Sequence, residues 1–322
     1  MRKKIILSAA IVMLLVFAGW MIMDLLHSGS VPEQNRYAYD LKSLRPPDSL
    51  PRFRELNPVR PALAEISGLA TDRSGCIYVC GKGGVAIFDS AGREIHRFTI
   101  PGFAWCVTLL PDGNLLLGMM DHVEQWSPSG ARMAEWSPAD TASLITSIAA
   151  TPDFVYVADA GKKIVYQYNH KGNLLSRIGE KDPERKIPGF IVPSPYFDLG
   201  ISPSGELWVA NPGRYELEKY SSEGNLVKAW GQSSMALEGF AGCCNPTHFA
   251  FLPDGSFVTS EKGIVRVKVC YPDGRFHWLV AGPESFEEGT RGLDLAVDNR
   301  GCILVLDPYK HLIRIFIPDK KP

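Results

Sequence analysis

The sequence predicts an all-β chain of repeated antiparallel strands preceded by one N-terminal transmembrane helix, and three observations carry that reading. Thirty Gly and 24 Pro recur as punctuation between short apolar runs, which is the turn chemistry of closely spaced strands. From Ile66 onward, a unit of strand, tight turn and strand repeats six times, and internal repetition of this kind marks a repeat architecture. Ahead of it an uncharged apolar run, Ile5 to Met23, follows Arg2-Lys3-Lys4 and is long enough to cross a bilayer as a helix.

Residues 1–27 read as a cytoplasmic stub and signal anchor. A cleaved signal peptide would have a shorter apolar core and a small-residue cleavage site, which Asp24-Leu25-Leu26-His27 does not offer,. No Cys follows the run to carry a lipid. With the basic residues held in the cytoplasm, everything after Asp24 is expected to be periplasmic or extracellular in a single-pass membrane protein. Residues 28–63 hold Pro32, Pro46, Pro47, Pro51, Pro58 and Pro61, a composition suited to an extended tether.

The repeated turns are Arg73-Ser74-Gly75, Pro111-Asp112-Gly113, Thr151-Pro152-Asp153, Pro203-Ser204-Gly205, Pro253-Asp254-Gly255 and Asn299-Arg300-Gly301. Each precedes a strand such as Phe154-Val155-Tyr156-Val157 or Glu206-Leu207-Trp208-Val209, and a second Gly follows at a near-constant distance, from Gly92 to Gly274. A unit of about 40–50 residues built this way is the size of one four-stranded propeller blade. The prediction is therefore a six-bladed β-propeller over 64–318 with a tail at 319–322. No intervening stretch has the helical period that a parallel α/β fold needs. The last unit stops after its third strand, so the ring lacks one strand, and the Tyr37 to Val59 segment is the available donor.

Ile77-Tyr78-Val79, Val155-Tyr156-Val157-Ala158-Asp159 and Leu304-Val305-Leu306-Asp307 followed by Ile313-Arg314-Ile315-Phe316 resemble the strand motifs of the NHL-repeat propellers. The likeness spans Ile66 to Ile317 and concerns architecture more than chemistry. It implies a scaffold for protein or RNA, or a relative of a zinc-dependent lyase of amidated-peptide synthesis. That lyase has its His in a Pro-His pair where this chain has Pro246-Thr247, so its mechanism does not carry over. The segment Gly242-Cys243-Cys244-Asn245-Pro246-Thr247-His248 is similar to one in uncharacterised bacterial, membrane-anchored members, and brings no activity with it.

With 34 basic against 35 acidic residues and no basic stretch, the chain lacks the charge a nucleic acid partner requires. In a propeller, aligned positions at the start of each innermost strand form a ring around the central channel. Here they are Gly68, Cys106, Ser147, Asp198, His248 and Asp294, each expected opposite the apolar residue that follows it,. One reading makes Asp198, His248 and Asp294 ligands for a divalent metal, with the Cys106 thiolate as an optional further ligand. The other has each Asp bonded to neighbouring backbone N–H groups.

The most unusual feature is the adjacent pair Cys243 and Cys244, preceded by Gly239 and Gly242. Their Cα atoms are about 3.8 Å apart, less than a relaxed disulfide spans, so a bond between them would reduce easily. Both thiolates with His248 could instead hold a soft metal such as copper or zinc, and calcium is the further candidate ion. They could also be small apolar fillers. Trp105 beside Cys106 is a candidate to face the channel, and the remaining Trp residues read as core between sheets. Glu261, Lys262 and Arg291 read as loop charges able to orient an anion, or as solvated turns. Gly81-Lys82-Gly83-Gly84 joins two strands with no helix after it, which argues against a phosphate loop. Seven cysteines, an odd number, do not make a disulfide framework,. Two functions remain open: a membrane-anchored binding module taking a protein or small ligand at its channel face, or an extracytoplasmic redox or metal-dependent enzyme using Cys243, Cys244 and His248.

Overall fold

The computed structural model describes residues 12–23, 53–136 and 142–319. The chain divides into two units, 1–40 and 41–322. In the first, residues 12–23 are helical and exposed throughout. No helix among the described residues is long and apolar enough to cross a membrane. Residues 5–11 of the expected span, and the tether as far as residue 52, lie outside the described residues.

The second unit consists of six antiparallel sheets. Each is one blade, at residues 66–103, 106–136, 145–178, 199–230, 248–281 and 294–318. Five have four strands. In the first, the continuous element Ile77–Phe88 fills both middle positions, its first half pairing with Ile66–Thr71 and its second with Glu94–Phe103. Gly81 there lies so close to the preceding segment that a Cβ would come within 1.9 Å of the Glu65 carbonyl. The glycines of this run thus serve a crowded hairpin.

The repeated turns form for a local reason. Asp72 Oδ1 accepts hydrogen bonds from the N–H groups of Ser74 at 2.8 Å and Cys76 at 2.9 Å. Asp298 does the same for Arg300 and Cys302, both at 2.9 Å. Such Asx turns need a left-handed residue inside the loop, and Gly75 supplies it at φ 84°,.

The innermost strands touch in sequence around the ring, and the last touches the first. Six apolar clusters fill the spaces between neighbouring blades. Trp126, Trp136 and Trp208 lie buried in them, and Trp208 meets Phe257 of the next blade edge-on at 4.9 Å. Burying a side chain of that size contributes about 1.5–3 kcal/mol. The sixth blade takes its outer strand from Phe53–Glu55, which pairs with Leu312–Pro318 in the register Arg54↔Ile317. Arg314 grips Glu55 with two bonds of 2.8 and 2.6 Å, so both ends of the domain share one sheet and its open edge disappears.

Candidate functional site

Cys106, Ser147, Asp198, His248 and Asp294 all line one axial channel with a cavity of about 340 Å³. The residues that follow them, Val107, Ile148, Leu199, Phe249 and Leu295, are buried between the blades, because alternate side chains of a strand point to opposite faces. Gly68 holds the sixth place. A Cβ there would come within 2.8 Å of the Cys106 backbone, so only glycine allows the first two blades to approach this closely.

The two carboxylates stitch blades together. Asp198 accepts from the Phe249 N–H at 2.8 Å and from the Ser147 hydroxyl at 2.6 Å. Asp294 accepts from the Leu69 N–H at 2.7 Å and from its neighbour Leu295 at 2.8 Å. All four oxygens are therefore engaged, each carboxylate reaching the inner strand of the next blade. Burial still opposes their ionisation. It raises Asp198 to about 6, and burial joined by the charge of Asp198 raises Asp294 to about 8. Near neutral pH the pair thus carries about one negative charge between them. Burial pushes the Cys106 thiol well above its ordinary value, which makes it inert rather than nucleophilic.

His248 faces the same channel, with Tyr196 edge-on at 5.8 Å. Its Nδ1 is buried without a hydrogen-bond partner, and burial lowers its pKa to about 4, so the imidazole is neutral. Above the ring the channel widens into a mouth of about 440 Å³. Phe103, Trp105, Tyr196 and Tyr309 wall it, and Arg291 stands at it. Trp105 Nε1 is buried with no acceptor. Trp105, Arg291 and His248 thus meet at one place. Sequence reading missed Tyr196 and Tyr309. Each directly follows a proline at the rim, in Pro195-Tyr196 and Pro308-Tyr309, and that repeated loop dipeptide was the available signal.

The cysteine pair occupies a separate part of the loop leading into the fifth blade. Cys243 is exposed and Cys244 buried, with their sulfurs 2.7 Å apart. Among the described residues, the His, Cys, Asp and Glu ligand atoms that gather in threes within 4.8 Å are those of His122, Glu124 and Glu135. Neither Cys243, Cys244 and His248 nor Asp198, His248 and Asp294 are drawn together in that way. The gathered trio is itself already occupied: Arg132 pairs with Glu124 at 2.6 Å, and Trp126 donates to the same carboxylate at 2.8 Å.

Glu261 departs from the solvated-turn reading. It is 1% exposed, paired with Arg266 at 2.6 Å and Lys268 at 3.0 Å. Arg266 donates to the carbonyls of Ala236 and Gly239, both at 2.9 Å, and Lys268 to that of Leu237 at 3.1 Å. Glu261 in turn accepts the Ala241 N–H at 2.6 Å. This buried ionic group is therefore the fastening of the cysteine loop, whose many backbone carbonyls need donors once water is excluded.

No family model matches the chain, and no curated protein matches its sequence. Its shape is similar to that of a streptogramin B lyase, at 9% identity and TM-score 0.57 over 83% of this chain and 98% of that one. Virginiamycin B lyase from Staphylococcus aureus is similar at 11% identity and TM-score 0.54, over 84% and 89%. A protein of unknown function from Bacteroides caccae is similar at 16% identity and TM-score 0.52, over 69% and 83%. The chain is a six-bladed β-propeller. At these identities the likeness speaks for the fold and not for an activity.

Proposed function

We propose that this protein is a membrane-anchored, extracytoplasmic binding module of NHL-repeat type that takes a small anionic, aromatic ligand in the channel mouth. The observation that carries the reading is the mouth itself. Aromatic walls from Phe103, Trp105, Tyr196 and Tyr309 enclose it, with the Arg291 cation among its lining residues. A concave, largely apolar site with a few convergent polar groups is the usual form of a small-molecule site. A second cation lies close by, since Lys262 Nζ sits over the Tyr196 ring at 5.1 Å. The channel below supplies shape rather than chemistry, because its carboxylates are spent on the blades. The membrane anchor rests on the apolar run Ile5 to Met23,.

A flat aromatic carboxylate such as 2-naphthoate is the probe, read by quenching of tryptophan fluorescence in the detergent-solubilised full chain. Saturable quenching is expected, weakened about tenfold or more by Arg291→Ala through loss of a charge-assisted bond. Equal binding of a neutral or cationic analogue, or no change with Arg291→Ala, counts against the reading.

A further inference from the structure

The cysteine loop shows a backbone that spends conformational energy to bring two thiols together. In extended chain, neighbouring side chains point to opposite faces, so adjacent cysteines ordinarily diverge. Here Cys244 adopts φ 65° and Gly242 φ 69°, and the two sulfurs face each other at 2.7 Å. A left-handed conformation is unfavourable for a residue with a Cβ, and such strain persists only where the surroundings enforce it. They do so on both sides. Asn245, fully buried, donates to the Ala241 and Lys262 carbonyls and accepts the Lys262 N–H at 2.8 Å. The Ala241 N–H is held by Glu261. The pair thus sits in a closed turn clamped to the end of a strand.

The two thiols differ in access, one exposed and one buried. Lys262, which donates to Ser194 at 3.0 Å, lies on the buried side, and its charge favours the Cys244 thiolate. Burial and the neighbouring sulfur work the other way and dominate, raising the Cys244 pKa. Attack on an incoming molecule therefore falls to Cys243, whereas Cys244 needs only to reach a sulfur already beside it.

We propose that Cys243 and Cys244 form a thiol–disulfide exchange site for small-molecule disulfides, with Cys243 as the attacking thiol and Cys244 as the resolving one. The Cys243 thiolate attacks one sulfur of a disulfide RS–SR, forming a Cys243–SR bond and expelling RS⁻. Cys244 then loses its proton, attacks Cys243 Sγ and expels the second RS⁻. A Cys243–Cys244 bond results, two RSH leave once the thiolates take up the two protons released by the cysteines, and the two electrons pass to the small disulfide. The site shares Lys262 with the mouth, where that cation lies over the Tyr196 ring, but the exchange chemistry needs no ligand there.

The test uses the full chain in detergent, oxidised glutathione as probe, trapping with a maleimide, and mass analysis of the peptide carrying both residues. The wild type is expected to lose the mass of two hydrogens on that peptide, with a glutathione adduct only transient. Cys244→Ser should accumulate the adduct at Cys243, and Cys243→Ser should react at least about tenfold more slowly, since buried thiols are inert. Melting temperatures of both Ser variants close to that of the wild type establish that the loop still folds. A wild type whose adduct persists as long as that of Cys244→Ser overturns the resolving role. Two thiols that both still react with the maleimide when the oxidant-treated chain is unfolded in denaturant overturn the site altogether.

Discussion

Replacing Asp294 by Asn removes one proton-binding group from the channel while keeping its shape, and the consequence is a measurable change in how stability depends on pH. In the folded chain Asp294 has its pKa raised from 3.8 to about 8 by burial and by the charge of Asp198. Between those two values the folded state holds a proton that the unfolded chain has released, so stability falls as pH rises across that window. One retained proton corresponds to about 1.4 kcal/mol per pH unit. Asp198, raised to about 6, adds a loss of the same sign below that pH. His248, lowered to about 4, acts oppositely, because below its ordinary value the unfolded chain gains a proton that the folded one refuses. These contributions largely cancel in the difference between variant and wild type. The stability of Asp294→Asn relative to wild type should therefore climb by about 1.4 kcal/mol per unit from about pH 5 to about pH 7, then level off above about pH 8. The lost acceptor for Leu69 or Leu295 adds a constant offset only. Urea unfolding of both full-length chains in detergent, followed by tryptophan fluorescence, reads the difference. A difference that stays flat across the range refutes the raised Asp294 pKa, since a well-hydrated carboxyl would titrate near its ordinary value in both states.

Asp198→Asn should bring the upper end of the Asp294 window below about pH 8, since it removes the charge that assists burial; the same unfolding series checks it,. Glu261→Ala leaves Arg266 and Lys268 buried without their counter-charge, at an expected cost of about 3–5 kcal/mol; earlier proteolytic cleavage within 232–247 than elsewhere is the readout. Glu55→Ala frees Arg314 and loosens the closing strand, with an expected loss of about 1–3 kcal/mol and faster amide exchange over 312–318 than over other strands. Phe257→Ala empties a position that is 1% exposed between the fourth and fifth blades, and about 3–5 kcal/mol of stability should go with it, read by the urea midpoint.

The ring of channel residues was legible in sequence because it depends on two local rules, a fixed turn position and the two-residue period of a strand. Counting back from each turn reaches Cys106, Asp198, His248 and Asp294 without knowledge of the partners. What those groups do was not legible. Whether Asp294 holds a metal or a backbone N–H depends on the inner strand of the first blade, and Leu69 is brought to it only by ring closure. Except for Trp105 the aromatic rim escaped notice for the same reason, since Phe103 ends a strand of the first blade and Tyr196 and Tyr309 come from loops elsewhere in the ring.

By itself the sequence determined the all-β class, the number of repeats, the turn chemistry and the faces of the strands, since all of these follow from interactions within a few residues. Tertiary structure alone decided the rest. In Arg266-Val267-Lys268-Val269 two cations alternate with valines, and the 232–247 loop folds over the cationic face and turns both into buried anchors. Similarly, Phe53–Glu55 has no strand pattern of its own and becomes a strand because the last blade presents an unpaired edge. The adjacency of Cys243 and Cys244 is written in the chain, but the meeting of their sulfurs depends on a left-handed backbone that Asn245 and Glu261 hold in place.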